Sequence, residues 1–237
     1  MITITKDFHT HSKYSKFFHG KSTIREVVAS AAAKGLKTIA LTDHAPDHLF
    51  GVWPFLLKKR KREIEKLRKE FPSIEILCGL ETNLVSNKGA IDVTKKQRAD
   101  LDFCVLGFHR TAGMFCHPFF AIKMLFGKNK IERNTNAYLN AIENNKIDVV
   151  AHLKQYINVD CGKIAAAAAK KGTFIEINNR HLCFNKDDVK AMLATDCKFV
   201  VDSDAHRARD VGKFDNAIAF IEKYNIPIER IVNAKRD

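Results

Sequence analysis

The chain has 237 residues, of which 46% are hydrophobic and 28% charged, and 40 Lys and Arg residues against 27 Asp and Glu residues give a formal net charge of +13. This composition excludes a disordered chain, a collagen and a disulfide-stapled miniprotein. No apolar run approaches the ~20 residues that cross a bilayer, and charged Lys6 and Asp7 interrupt the stretch that a signal peptide would need, so we expect a cytoplasmic protein with no membrane contact. The positive charge suits an anionic partner, either nucleic acid, an acidic surface or a phosphorylated metabolite.

The apolar pattern predicts alternating strands and helices. Strands are expected at residues 2–8, 37–41, 74–79, 103–107, 147–151, 173–177 and 198–201, and most of these runs are continuously apolar, as in parallel strands buried on both faces. Helices are expected from a capping box at Thr23 to Gly35, around Leu57 to Phe71 before Pro72, and at residues 136–145, 161–171, 186–194 and 214–224. The alternation indicates a parallel α/β architecture and one domain over residues 1–237.

Polar side chains follow every predicted strand. They are Asp7, His9 and His11, then Asp43 and His44, Glu81, His109, His152, Glu176 with Asn178 and Asn179, and finally Asp202, Asp204 and His206. Because the carboxyl ends of parallel strands meet on one face, residues nearly 200 positions apart are expected in one site.

Six of the ten histidines lie at these strand ends, where Glu81 and Asp204 join them. Imidazole and carboxylate are the ligands of zinc, manganese or iron. In extended backbone, residues two apart point to the same side, so His9 and His11 can face one ion. The set exceeds the four ligands of one tetrahedral zinc ion, which favours a multinuclear site.

These residues resemble one known family, the PHP (polymerase and histidinol phosphatase) domain phosphoesterases, and within it the YcdX-type bacterial phosphatases. The motifs that carry the resemblance are Asp7-Phe8-His9-Thr10-His11, Thr42-Asp43-His44, Gly79-Leu80-Glu81, Gly107-Phe108-His109, Ala151-His152, Glu176-Ile177-Asn178-Asn179 and Asp202-Ser203-Asp204-Ala205-His206. They follow the family's order from residue 7 to residue 206.

The resemblance implies an α/β fold, a distorted seven-stranded (βα)7 barrel of PHP type, that holds three metal ions, expected to be Zn²⁺ with Mn²⁺ or iron as alternatives. The first ion would be bound by His9, His11, Glu81 and Asp204, the second by Glu81, His109 and His152, and the third by His44, His206 and His19. His19 stands about two residues further from His9 than in the family, so His48 is the alternative third ligand.

Two segments depart from the family pattern. Leu153-Lys154-Gln155 replaces the Pro-Gly turn that usually follows the histidine at position 152. Residues 111–133 form a longer segment than in the family, with many aromatic residues, and it is interpreted either as a lid over the site or as a helix packed on the barrel or a subunit contact.

The predicted activity is hydrolysis of phosphate monoesters of small metabolites by a hydroxide held between metal ions, with no covalent intermediate. Candidate phosphate contacts are Arg110, Lys154, Arg180, His181 and Arg207, each next to a ligand or a strand-end motif. Asp43 and Asp202 are expected to orient imidazoles, and Glu176 and Asn178 to line the pocket.

Three alternatives stay open. A nuclease is suggested by the basic run Lys58-Lys59-Arg60-Lys61-Arg62, whose other interpretation is the solvated face of a helix. Histidinol phosphatase differs only in substrate, and a metal-bound interaction module without chemistry is the non-enzymatic alternative. The expected partner is a small phosphorylated substrate rather than nucleic acid, and a homo-oligomer is compatible with the sequence.

Overall fold

Parallel strands form the centre of the molecule. The computed structural model describes residues 2–113, 117 and 119–236. The strands are β1 (Ile2–Ile4), β2 (Lys6–Asp7), β3 (Thr38–Leu41), β4 (Glu75–Asn83), β5 (Phe103–Gly107), β6 (Val149–Val150), β7 (Phe174–Asn178), β8 (Lys198–Asp202) and β9 (Ala234–Arg236). Strands β2 to β8 pair in chain order, and all of these pairs are parallel.

The seven strands curve into a nearly closed barrel. Thr10, just past β2, forms a parallel bridge with Ala205, just past β8, and the amide of His11 donates to the carbonyl of Ala205 at 2.8 Å. Strands β1 and β9 pair antiparallel as a separate two-stranded sheet. The predicted distorted (βα)7 barrel is therefore confirmed, and its distortion includes β6, which has only two residues.

Eight α-helices connect the strands in the described part of the chain. They are α1 (Ile24–Ala33), α2 (Leu57–Glu70), α3 (Lys95–Ala99), α4 (Phe120–Leu125), α5 (Lys130–Asn144), α6 (Cys161–Lys171), α7 (Lys186–Leu193) and α8 (Asp215–Lys223). The predicted capping box is present at the start of α1, where Thr23 accepts from the amide of Glu26 and Glu26 caps in return. No helix of the described ranges is long and apolar enough to cross a membrane.

Two apolar clusters hold the barrel together. Inside it, Phe8 stacks on Phe103 at 4.9 Å between ring centroids, with Val105, Val149 and Val200 around them. A larger cluster fills the space between the strands and the outer helices. This packing leaves the carboxyl ends of the strands as the place for polar groups.

The structure corrects two predicted elements. Residues 2–8 are two strands in different sheets, β1 and β2. Helix α5 begins at Lys130, six residues before the predicted start. Its first turns carry a buried polar residue, Asn134, whose amide donates to the carbonyls of Met124 and Asn158, and this side chain interrupts the apolar pattern.

Candidate functional site

Glu81, near the carboxyl end of β4, is the centre of the polar cluster. One carboxylate oxygen, Oε2, lies 2.7 Å from His44 Nδ1, 3.3 Å from His9 Nε2 and 3.5 Å from His11 Nε2. The other, Oε1, lies 2.7 Å from His152 Nε2 and 3.4 Å from His109 Nε2. One buried carboxylate thus faces five imidazoles from four separate strand ends.

Four overlapping groups have ligand atoms within 4.8 Å of one another. They are His9 with His11 and Asp204, Glu81 with His109 and His152, His11 with His44 and His206, and His44 with His48 and His109. The first two groups, with Glu81 beside the first, match the ligand sets that the resemblance implies for two ions. The third contains His44 and His206 of the third set.

His19 and His48, the two candidates for the last ligand, differ in their surroundings. Nε2 of His19 lies 2.8 Å from Nε2 of His206, and its ring stacks on Phe50. His48 is held through both ring nitrogens: Nδ1 accepts from the amide of Phe50 at 3.2 Å, and Nε2 lies 2.8 Å from the hydroxyl of Thr111. His19 therefore presents a nitrogen to the cluster, whereas both nitrogens of His48 have protein partners.

Buried side chains behind the cluster fix the imidazoles. Glu176 lies 2.7 Å from Nδ1 of His9, and its second oxygen accepts from the amide of His152. Asn83 Oδ1 lies 2.6 Å from Nδ1 of His109. These contacts leave Nε2 of His9 and of His109 facing Glu81. Sequence reasoning missed Asn83, although it stands two residues after Glu81 on an extended strand and so points to the same side.

Two residues of the cluster lie on strained backbone: His152, which follows β6, and Asp204, which follows β8. His152 has φ of 29° and Asp204 has φ of 51°, values that residues other than glycine rarely adopt. Gly107 leaves the space that His152 and Glu81 occupy, because a Cβ there would lie 2.8 Å from Cε1 of His152 and 3.1 Å from Oε1 of Glu81. The cluster is thus packed too tightly for any side chain at position 107.

Charge within the cluster shifts its pKa values in opposite directions. Burial alone would lower the pKa of His9, but Glu81, Glu176 and Asp204 raise it well above the usual value. Burial lowers the pKa of His11 and of His109, and it lowers that of His19 to about 3. Glu81 and Asp204 keep pKa values well below normal, because the surrounding imidazoles outweigh their burial.

The donor set fits metal ions. His44 Nδ1 and Glu81 Oε2 are 2.7 Å apart, yet neither takes part in a hydrogen bond, and Nδ1 of His11 is also buried without a partner. Buried polar atoms are normally paired, so the facing lone pairs of His44 and Glu81 call for a cation between them. Neutral imidazoles and ionised carboxylates are the forms that zinc, manganese and iron bind.

A cavity of about 210 Å³ opens over the cluster. Besides the cluster it is lined by His48, Phe50, Thr111, Gln155, Tyr156, Arg180 and His181. Arg180 donates to the carbonyl of Asp204 at 3.1 Å, and Nε2 of His181 lies 3.5 Å from Oδ2 of Asp204. Two predicted phosphate contacts therefore reach this cavity.

The other candidates lie elsewhere. Arg110 is exposed beside the ring of Tyr156, and Lys154 pairs with Asp188 at 2.5 Å; neither is among the described residues that line the cavity. Arg207 lines a neighbouring cavity instead.

Asp43 and Asp202 have different partners from those predicted. Asp43 accepts from Arg60 Nε at 2.9 Å and from the hydroxyls of Ser12 and Ser15, and Asp202 accepts from the amide of Phe8 at 2.6 Å. They fix backbone around the site, and the imidazole partners are Glu176 and Asn83.

The segment 111–133 is described only in part, since residues 114–116 and 118 lie outside the described residues. Thr111 lines the cavity, whereas Met124 on α4 is fully buried in the outer core. For residues 120–133 the packing favours helices against the barrel, which was one of the two interpretations of this segment.

The chain is similar to known proteins over most of its length. The PHP domain model matches residues 7–180. A probable phosphatase of Caldanaerobacter subterraneus subsp. tengcongensis is 31% identical, over 100% of this chain and 89% of its own length. A probable phosphatase of Shewanella frigidimarina is 29% identical, over 96% of this chain and 88% of its own.

Solved structures share the fold at low identity. Histidinol phosphate phosphatase from Lactococcus lactis, solved with zinc, L-histidinol and phosphate, superposes with a TM-score of 0.62 at 18% identity, covering 93% of each chain. A chain in the structure of archaeal ribonuclease P with mature tRNA gives a TM-score of 0.58 at 15% identity, covering 95% of this chain and 84% of that one. From the extent of the sequence matches together with the barrel, we conclude that the chain belongs to the PHP domain family.

Proposed function

We propose that the protein is a metal-dependent phosphatase that hydrolyses phosphate monoesters of small metabolites. The observation that carries the proposal is the convergence of five imidazoles from four strand ends on the buried carboxylate of Glu81, at the floor of a cavity of about 210 Å³. The probable phosphatases to which the chain is similar support the same activity.

The site would hold three ions, zinc first and manganese or iron as alternatives. Their ligands would be His9, His11, Glu81 and Asp204 for the first, Glu81, His109 and His152 for the second, and His19, His44 and His206 for the third. When bound, such ions neutralise phosphate charge and make bound water acidic enough to react near neutral pH. The position of His19 Nε2, 2.8 Å from Nε2 of His206, favours His19 over His48 in the third set.

The chain's own residues would bind and orient the ester. Arg180 is fixed by the Asp204 carbonyl and lines the cavity, where its remaining N–H groups can donate to phosphate oxygens. His181 adds a second nitrogen on the same side of Asp204. The confined cavity suits a phosphate group on a small molecule better than a nucleic-acid duplex.

Metal content and hydrolysis test the proposal together. We expect about three ions per chain by mass spectrometry of the purified protein, and hydrolysis of p-nitrophenyl phosphate that a chelator abolishes and added zinc or manganese restores. Fewer than about one ion per chain, or activity that survives chelation, would overturn the proposal.

A matched pair of substitutions localises the activity. Asp204→Asn should remove turnover and at least one ion while the circular dichroism spectrum stays unchanged. Asp215→Asn, an equal change at an exposed position at the start of α8, should leave both at the level of the original protein. Equal activity in the two variants would place the chemistry elsewhere.

A further inference from the structure

A second cavity adjoins the metal-ligand cluster. It has a volume of about 490 Å³ and shares His19, Arg180 and His206 with the first cavity. A molecule bound at the cluster can therefore extend past His206 into this space without leaving the protein surface.

The second cavity is strongly basic. Five cationic side chains and a single carboxylate are among the described residues that line it, namely Lys21, Arg180, Arg207, Arg209, Lys213 and Asp210; we call this group the basic annex. Lys213 donates to Asp210 at 2.6 Å, whereas Nε of Arg209 stays 3.9 Å from the same oxygen. After this pairing the basic annex keeps a surplus of positive charge on a concave surface, which attracts anions.

The loop that carries Arg207 and Arg209 is held in place. Lys34, in the turn after α1, donates through Nζ to the carbonyls of Arg209 and Val211. Ser30 donates to the carbonyl of Ala208, and the amide of Gly212 donates to Asp7. A fixed backbone presents the two guanidinium groups from one position, and this lowers the entropic cost of binding.

We propose that the basic annex binds a second anionic group of the substrate, a carboxylate or a phosphate, while the scissile phosphate lies at the metal-ligand cluster. This inference rests on the proposed phosphatase function and names its substrate class: small phosphate esters that carry another negative charge. Arg207 and Arg209 are specificity-determining residues, and Arg180 lies on the wall between the two subsites.

The charge of the basic annex also argues against the alternative that the protein is a histidinol phosphatase. L-Histidinol, which occupies the Lactococcus lactis enzyme together with phosphate, carries an ammonium group at neutral pH. Like charges in one cavity repel, so the basic annex disfavours that leaving group and favours an anionic one.

Matched esters test the inference. One pair is 2-phosphoglycerate and glycerol 2-phosphate, which differ by a carboxylate; the other is fructose 1,6-bisphosphate and fructose 6-phosphate, which differ by a phosphate. We expect kcat/KM to be about tenfold higher, in one of the pairs, for the member that carries two anionic groups. The pair that shows this difference identifies the second anion. Equal kcat/KM within both pairs would overturn the inference.

Arg209→Gln removes one annex charge that touches no metal ligand. It should raise KM for the preferred ester, which carries two anionic groups, about 5–10-fold, with kcat nearly constant. The KM for the matched ester without the second anionic group should change less than twofold. Arg62→Gln, the same change at an exposed position of α2, is the control for net charge. If both variants raise KM equally, the basic annex is not a subsite.

Direct binding keeps this result separate from that of the proposed function. Calorimetric titration of the metal-loaded protein with 2-phosphoglycerate and with fructose 1,6-bisphosphate should give weaker binding to the Arg209→Gln variant of the preferred ester. If no ester is hydrolysed but this difference appears, the phosphatase proposal fails and the anion subsite stands. If p-nitrophenyl phosphate is hydrolysed and Arg209→Gln changes no binding, the reverse holds.

Discussion

Glu176 holds together two histidines of the cluster that follow different strands. One of its oxygens lies 2.7 Å from Nδ1 of His9 and the other accepts from the amide of His152, and all three residues are buried. A carboxylate behind a ligating imidazole fixes its orientation and makes it a stronger ligand. Glu176 is not among the described residues that line the cavity, so we expect it to act as a positioning residue through His9 and His152.

The substitution Glu176→Gln keeps the shape of this side chain but removes its charge. We expect metal affinity to fall about 10–100-fold, because His9 loses its anionic partner. A competition titration with a chromophoric chelator measures this loss. Glu65→Gln, on the exposed side of α2, should change nothing. Unchanged affinity in Glu176→Gln would show that the contact does not tune the site.

Gly107 sets how closely the ligands can approach. In Gly107→Ala the new methyl would overlap His152 and press on Glu81. We expect more than tenfold loss of hydrolysis and a decrease in the free energy of unfolding of about 1–3 kcal/mol, as for other overpacked sites. Urea unfolding and metal analysis check this, with Gly162→Ala in α6 as the control. A fully active Gly107→Ala protein would contradict the described packing.

At the scale of single residues, local spacing predicted which histidines and carboxylates come together around Glu81, but not the residues that support them; their role as metal ligands stays a prediction. The run His9-Thr10-His11 and the polar residues after each strand are visible in sequence because strand geometry fixes where they point. The role of Asn83 depends on where His109 arrives from the next strand, 26 residues later. Such a pairing is a property of the tertiary structure.

Among the elements, α2 is tied to the barrel by one buried ion pair. Arg60 is 1% exposed, and its guanidinium donates to Asp43 at 2.9 Å and to the carbonyl of Leu41 at 2.6 Å. The Arg60 charge, with His11, the amide of Ser12 and the hydroxyl of Ser15, holds the pKa of Asp43 below its usual value despite burial. Because Asp43 directly precedes His44 of the cluster, this pair also fixes the loop after β3.

Breaking the pair should be costly. In Arg60→Met the carboxylate of Asp43 stays buried without its counter-ion, and we expect a loss of about 3–5 kcal/mol in the free energy of unfolding. Arg62→Met, two residues later and exposed, should stay within about 0.5 kcal/mol of the original chain. Chemical denaturation of the two variants measures both values, and similar values for the two would contradict the ion pair's role.

Helix and strand types were predicted better than their limits. The capping box at Thr23 and the Pro72 stop are local signals, and α1 and α2 lie where they indicate. Short helices α3 and α4 were not predicted, because five or six residues give too little periodicity. The split of residues 2–8 depends on β9, more than 200 residues away, and no local pattern shows it.

At the scale of the whole molecule, the charge of +13 is divided between surfaces with different roles. The run at residues 58–62 does not form one cationic face, because Arg60 points inward. The basic annex instead concentrates charge beside the cluster. The prediction of one domain over residues 1–237 stays a prediction.

The charge distribution argues against a duplex-binding surface on α2. We expect no measurable binding of a 20-base-pair DNA duplex at about 0.15 M salt, and only weak binding at low salt. Fluorescence anisotropy at several salt concentrations measures this. Micromolar affinity near physiological salt, with a steep dependence on salt concentration, would favour the nuclease alternative instead.

Loading of the cluster with metal should release protons at pH 7. Burial lowers the pKa of His152, as of His9, but nearby carboxylates, Glu81 and Glu176 among them, raise both above the usual value, so in the metal-free protein these two rings keep their protons to higher pH than an ordinary imidazole does. A metal ion binds only the neutral ring and must displace them. His11 and His109, with lowered pKa values, are already neutral and contribute no proton. Metal affinity should therefore rise with pH until His9 and His152 have lost their protons in the metal-free protein, and stay constant above that range.

Calorimetry of zinc binding in buffers of different ionisation enthalpy measures this release. At pH 7 the observed enthalpy should depend on the buffer, and the dependence should shrink as the pH rises. The Glu176→Gln variant should release fewer protons, because both rings lose a neighbouring negative charge that raises their pKa. An enthalpy independent of buffer at pH 7 would mean that His9 and His152 are already neutral before metal binds. It would also mean that the neighbouring carboxylates do not raise the pKa of these imidazoles. The carboxylates that are proposed to hold the ions would then have no measurable effect on the pKa of the imidazoles beside them, contrary to the short contacts around Glu81.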